Sequence, residues 1–440
     1  MSVTPLMTLD LPRGAPRLAL GVRAGDWIFG TGLLAMDGSA GISQQILGGG
    51  RPYSGLPAAQ KEAEAIFAKV KEILAEGGSL PSRVVRLDQY YSSWKAVPHY
   101  HVARHKAFLG ARSIPASTSI LMPGLLLPDA QIEVEMIALA EDAGIRIEPM
   151  TPDGLDVPSV MGFAPVVRAG DFVFLAGQMA EEEGHAGIAA AARVPETHLW
   201  KGHAVALETR FILERKFKPA LTAARSSLEQ AVKAQAYLSD MREAPAFLRT
   251  WLEMFGSDGP ALTVIPTARL GFNCREASLE INLVALTEEA APRRKVLRPK
   301  GVSTPFDGVP PGVLAGDLLF CSGLVAADEN GPLPGIVRDP SRPWFGSPAE
   351  IQMEYILDMV QRLCDEAGTS LENVVRIQLY HTDLSEFHDC CRVWKRRLGD
   401  RPLPLSVMLV PAPLPIPGTT ILADMWIHVP QLSISAGSPR

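Results

Sequence analysis

One nine-residue passage occurs three times in this chain. Gly25-Asp26-Trp27-Ile28-Phe29-Gly30-Thr31-Gly32-Leu33 returns as Gly170-Asp171-Phe172-Val173-Phe174-Leu175-Ala176-Gly177-Gln178, and again as Gly316-Asp317-Leu318-Leu319-Phe320-Cys321-Ser322-Gly323-Leu324, at offsets of 145 and 146 residues. Each copy is a turn feeding a short apolar run that ends on a small residue and a glycine. That is the pattern of a buried strand whose end approaches another backbone closely. Solenoid repeats run to roughly 20–50 residues, so the 440 residues read as three fused units instead of a stack.

A second landmark repeats in step. Ile66, Val70, Ile73 and Leu74 mark one face of a helix that stops at Gly77-Gly78, and Val84 to Tyr90 follows as a strand. The third copy has Ile356, Met359, Val360 and Leu363, then Gly368, then Val374 to Tyr380; the middle copy has a helix through Phe211 to Leu221 and a strand from Ala231 to Tyr237. A second helix and a closing strand complete each unit, the closing strands being Gln131–Met136, Ser278–Leu283 and Thr420–Met425. Boundaries near Ala143 and Ala290 give units 1–143, 144–290 (the most divergent) and 291–440. Hairpin, helix, strand, helix, strand is an α+β unit that buries one sheet face under two helices. Three copies point to pseudo-threefold symmetry.

Composition narrows the function. Hydrophobic residues make up 47% and charged residues 20%, a globular balance. Forty-two basic against 48 acidic residues, a net charge of −6, argue against nucleic acid as a partner. The apolar stretches are broken by proline and too short to span a bilayer, and the N-terminus lacks a secretory pattern. Five cysteines without metal spacing fit a reducing, cytoplasmic setting. The Gly48-Gly49-Gly50 run lacks a following Lys-Ser/Thr and reads as a loop.

At these landmarks the chain resembles the RidA (YjgF) family, whose members form homotrimers. The Gly-Asp strand, the passage from Gly77-Gly78 into Val84-Val85-Arg86 and the closing Ile132-Glu133-Val134-Glu135 carry the resemblance, three times over. It implies chorismate-mutase-like units forming an intramolecular pseudo-trimer, with a barrel-like sheet core and helices outside. It also implies sites in the clefts between units and a reaction without metal or cofactor. In that reaction water is added to a C–N centre of a small metabolite, such as an imine or enamine. A chorismatase-like hydrolase of a carboxylated ring and a non-catalytic binding or scaffold protein are the alternatives. A monomer is expected, since the units can satisfy one another's interfaces.

The resemblance places the family carboxylate at Glu133 and Glu280, with Leu422 in the third unit. The family arginine, two residues after a proline, is replaced by Ser117, Leu262 and Ser406. None of these can grip a carboxylate as a fork, and Arg269 is the candidate substitute. His101 aligns with a family asparagine and is a candidate proton shuttle. His101 and His105 stand at i, i+4, but no HExxH or further ligand accompanies them and no metal is expected. Tyr90, Tyr237 and Phe163 complete the candidate substrate-binding set with Arg269 and Ser117; the tyrosines, equivalent to Tyr380, also read as core.

Overall fold

A computed structural model of the chain describes residues 3–11, 15–36, 38, 41–47, 55–111, 114–155, 162–182, 187–197, 202–270, 274, 276–337, 341 and 345–430; the glycine run 48–50 lies outside them. The architecture is mixed α+β. Three sheets share one strand order: edge, first hairpin, second hairpin, closing, middle and penultimate strand. In the first sheet these are Thr4–Asp10, Arg17–Ala24, Trp27–Leu33, Ile132–Leu139, Val84–Tyr91 and Ala116–Leu121. In the second they are Ile147–Met150, Val166–Ala169, Phe172–Gln178, Leu279–Leu286, Ala231–Leu238 and Ala261–Pro266. In the third they are Arg294–Leu297, Gly312–Ala315, Leu318–Cys321, Ile421–His428, Val374–His381 and Leu405–Leu409. The first stretch also lends the third sheet a seventh strand, Gly124–Leu125, paired with Met408 and Leu409.

Middle and penultimate strands run parallel, so a helix must carry the chain across between them. These helices are Val97–Ala107, Ala244–Phe255 and Phe387–Leu398. The longer helices Ala58–Glu76 and Pro348–Ala367 bury the apolar faces expected from their spacing. In the second stretch, Ala204–Phe211 passes through a π-helical segment, Ile212–Phe217, before Lys218–Ala223. Pro219 supplies no N–H there, and a widened turn is one way a helix absorbs that loss. Gly78 and Gly368 leave their helices in the left-handed conformation, at φ 73° and 75°; Arg225 does the same at φ 56°. Of these three helix exits, only at Arg225 does a side chain bear a backbone geometry that suits glycine.

Each sheet presents one face to its helices and the other to its two companions. Trp27, Phe29, Phe172, Phe174, Phe320 and Trp426 fill the shared inner core. Trp27 packs on Phe172 at 5.3 Å, Phe172 on Phe320 at 6.3 Å, and Phe29 on Trp426 at 6.3 Å, all edge-to-face. Such pairs each contribute about 0.5–1.5 kcal/mol beyond area burial. Backbone bonds also cross between stretches: Ala19 to Leu403 (2.8 Å), Ala164 to Ile114 (2.8 Å) and Gly323 to Leu262 (3.0 Å). The sheets remain three separate sheets, not a closed hydrogen-bonded barrel; side chains and isolated bridges join them. No helix of the described residues is long and apolar enough to cross a membrane.

Candidate active site

The inner face turns polar beyond the aromatic core. Cross-strand register pairs Tyr90 with Glu133, Tyr237 with Glu280 and Tyr380 with Leu422, and, one step inward, Asp88 with Glu135, Gln235 with Asn282 and Gln378 with Asp424. A third step brings Arg86, Lys233 and Arg376. These residues form a buried network between stretches. Arg376 pairs with Glu135 and, at 2.9 Å, with Asp88. Lys233 reaches Asp424 at 2.9 Å, and Asp424 also accepts from Thr263 (2.8 Å) and Gln235 (2.9 Å). Where the second stretch offers Asn282 in place of an acid, Arg86 turns to Asp88 of its own strand (2.9 Å). Burial works against the Arg376 charge, yet Glu135 and Asp88 more than offset it and raise its pKa. Burial dominates at Lys233 and lowers its pKa against the pull of Asp424.

Above this network sit two carboxyl groups without a cation. Glu133, only 1% exposed, bonds to Ser406 of the third stretch through Oε1, and its Oε2 is sealed in without a partner. Burial, with Glu135 adding to it and Ser406 opposing, pushes its pKa up to about 8. Glu280 is 5% exposed and lies against Gly177 of its own hairpin strand, where Thr118 of the first stretch also closes in. Burial, then Glu181 and Asp88, push its pKa to about 8 as well, and no hydrogen bond offsets the shift. In the third stretch Leu422 takes this place beside Gly323 and Thr263.

The glycine that closes each nine-residue passage is what permits this approach. A Cβ on Gly32 would collide with the Leu405 carbonyl oxygen, one on Gly177 with the Glu280 carboxyl, and one on Gly323 would lie 2.9 Å from Thr263. The close approach expected from sequence is therefore to the neighbouring stretch's penultimate strand, or to the carboxyl beside it.

The family model for endoribonuclease L-PSP matches residues 155–287 and 308–421, more than half of the chain. The chain belongs to the endoribonuclease L-PSP family. The RidA (YjgF) resemblance stands with it. A RutC family protein of Pyrococcus horikoshii is 29% identical over 135 residues, 30% of this chain and 94% of that protein. Mitochondrial protein mmf2 of Schizosaccharomyces pombe is 28% identical over 104 residues, 24% of this chain and 72% of that protein. A chorismatase crystal structure covers 79% of this chain and 93% of its own, at 12% identity and a TM-score of 0.48, a likeness too weak to carry functional weight.

Against this family frame the predicted residues divide. Glu280, Phe163 and Arg269 come to the interface of the first and second stretches: Phe163 bridges to Ile114 and Arg269 to Leu121, three residues along the strand from Thr118. Arg269 is exposed and forms no ion pair among the described residues. Glu133 stands at the other interface, with the third stretch.

Four expectations are corrected. Tyr90 and Tyr237 are fully buried, their hydroxyls 3.4 Å apart, with Gln378 donating to Tyr90 at 2.6 Å; they are core, out of reach of a substrate. Ser117 points to the helix side, accepting from Gln89 (2.6 Å) and Arg104 (3.3 Å). His101 lies on the helix that packs over that outer face; burial, then Arg104 and His105, hold its pKa down to about 3, so its ring is neutral near pH 7 and has no imidazolium proton to give. Ser406 is the counterpart of Thr118 and Thr263, not of Ser117 and Leu262, because register sets it opposite Gln378 as Thr118 stands opposite Asp88. Alignment on the prolines slips the third strand by one residue, which moves a side chain to the other face.

Sequence reasoning misses Thr118, Glu181 and the Arg86/Lys233/Arg376 set. The last is visible as a basic residue at one position of all three middle strands. All five cysteines are free and buried. No group of three or more His, Cys, Asp or Glu among the described residues is placed to hold a metal ion.

Proposed function

We propose that the chain is a hydrolase that adds water to the C–N centre of a small imine or enamine, without metal or cofactor, at the cleft between its first two units. The reading rests on Glu280, a carboxyl held at an inter-unit interface with no hydrogen-bond partner among the described residues, slightly open, and with a pKa raised to about 8. At pH 7 a group with pKa about 8 is roughly nine-tenths protonated. Glu280 then acts first as an acid, passing its proton to the substrate nitrogen. The carboxylate so formed takes a proton from water as the oxygen adds to carbon, giving a carbinolamine. The regained proton leaves with nitrogen as the C–N bond breaks, and the carbinolamine hydroxyl gives its proton back to the carboxylate, releasing a carbonyl compound and ammonia and restoring Glu280 to its acid form. A group poised near the working pH suits both transfers. The exposed Arg269 guanidinium is the grip for a substrate carboxylate.

The unit boundaries 1–143, 144–290 and 291–440, the pseudo-trimeric arrangement of one chain, its monomeric state and a cytoplasmic setting belong to the same proposal. Contacts from each sheet to both others support the arrangement. The test is ammonia release from freshly generated imines and enamines by wild type, Glu280→Gln and Glu133→Gln. Loss in Glu280→Gln alone supports the reading. Ammonia from no substrate selects instead a non-catalytic binding protein, which the lack of an arginine at Ser117, Leu262 and Leu405 favours.

A further inference from the structure

The interface between the second and third stretches has lost its carboxyl to Leu422, yet it borders a cavity of about 770 Å³. Leu248 of the Ala244–Phe255 helix forms one wall; Phe306, Val325, Tyr355 and Ile416 of the third stretch form the others. Hydrogen bonds within the lining fix its walls. Ser303 donates to the Ala327 carbonyl (3.1 Å), and Thr304 donates to the Phe306 carbonyl (2.8 Å) and lies 3.3 Å from that of Val309. A pocket of this size with two aromatic rings suits an organic molecule of moderate size.

Its charge is one-sided. Asp307, Asp328 and Glu329 stand at its exposed edge, and no Lys, Arg or His among the described residues lines it. Arg362, which donates to the Lys300 carbonyl (3.1 Å), stands beside Gly301 at one end of the lining, while an anion at the Asp307–Asp328 edge would meet like charge. A cation would meet the acids, and Phe306 and Tyr355 line the same space with aromatic rings of the kind that attract ammonium groups. The two Glu-bearing interfaces differ in kind: Glu280 lies beside Gly177, and Glu133 is bonded to Ser406, whose backbone approaches Gly32.

We propose that this third cleft is a binding site for an organic amine: a cationic head toward Asp307 and Asp328, an apolar or aromatic body against Phe306, Val325 and Tyr355, bound and not hydrolysed. The site is independent of the Glu280 chemistry.

The test is titration calorimetry of the full chain with 2-phenylethylamine, with 3-phenylpropionate and 3-phenyl-1-propanol as anionic and neutral counterparts. The amine should bind, the alcohol about fivefold or more weaker, and the carboxylate not measurably. Asp307→Asn with Asp328→Asn should weaken the amine about three- to tenfold, as should raising the salt. Val325→Trp, which fills the cavity, should abolish binding while leaving Glu280-dependent ammonia release unchanged. Equal binding of carboxylate and amine, no amine binding up to about 10 mM, or full binding by a folded Val325→Trp protein would each overturn the proposal. Should Val325→Trp fail to fold, the Asp-to-Asn pair decides: unchanged amine affinity there overturns it equally.

Discussion

Replacing Glu133 by Gln should make the protein more stable at neutral pH, in a way that depends on pH. The fold raises the Glu133 pKa from 4.5 to about 8, so it favours the protonated carboxyl. The stability tied to that proton is fully present below about pH 4.5 and is lost as pH climbs through the folded-state value. A tenfold change in a protonation equilibrium is worth about 1.4 kcal/mol, so the contribution already lost is about 3 kcal/mol at pH 7, as the unfolded chain ionises, and about 5 kcal/mol above pH 8, where the folded residue ionises too. Glutamine keeps an oxygen for Ser406 and cannot ionise. Urea unfolding of both proteins at unit steps from pH 5 to pH 9 should therefore show the variant's advantage growing by about 1.4 kcal/mol per pH unit up to about pH 8, then levelling. Parallel wild-type and variant profiles over that range would refute the reasoning, because they would mean that Glu133 is as easily ionised in the fold as in the open chain.

Three further outcomes follow from the geometry. Glu280→Gln should lower ammonia release by about 10²–10⁴-fold, and wild-type activity should fall as pH rises past about 8, the Glu280 value, because the acid form is then lost; a rate flat to pH 10 would contradict the assignment. Glu135→Ala leaves Arg376 with only Asp88 for an ionic partner and should destabilise by about 3–5 kcal/mol in chemical denaturation. Arg225→Gly should stabilise by about 1 kcal/mol, read as a rise in unfolding midpoint, since its left-handed backbone is the one Gly78 and Gly368 adopt.

The elements are legible in the sequence because their signals are local. The apolar face of Ala58–Glu76, its stop at Gly77-Gly78 and the closing strands all follow from spacing along the chain. What is not legible depends on pairing between strands. Middle and closing strands are buried on both faces, so they read as continuous runs and do not announce which side chains point inward. Hence the sequence leaves Tyr90 and Tyr237 open as substrate contacts, and matches Ser406 to Ser117 in place of Thr118. His101 misleads for a related reason: alignment sets it beside a family asparagine, whereas burial, and then Arg104 one turn along, make its surroundings hostile to a positive charge.

The buried ionic network also bears on how such a chain could have arisen. Counting formal charges at its three positions, the first repeat brings Arg86, Asp88 and Glu135, a net −1; the second brings Lys233, Gln235 and Asn282, a net +1; the third brings Arg376, Gln378 and Asp424, which cancel. A ring built from three copies of the first repeat would enclose three surplus negative charges, and one built from three copies of the second would enclose three surplus positive ones. Uncompensated charge of that size is not tolerated in a dry interior. These two repeats have become obligate neighbours: neither can be excised, duplicated or exchanged for the other without rewriting the centre of the molecule.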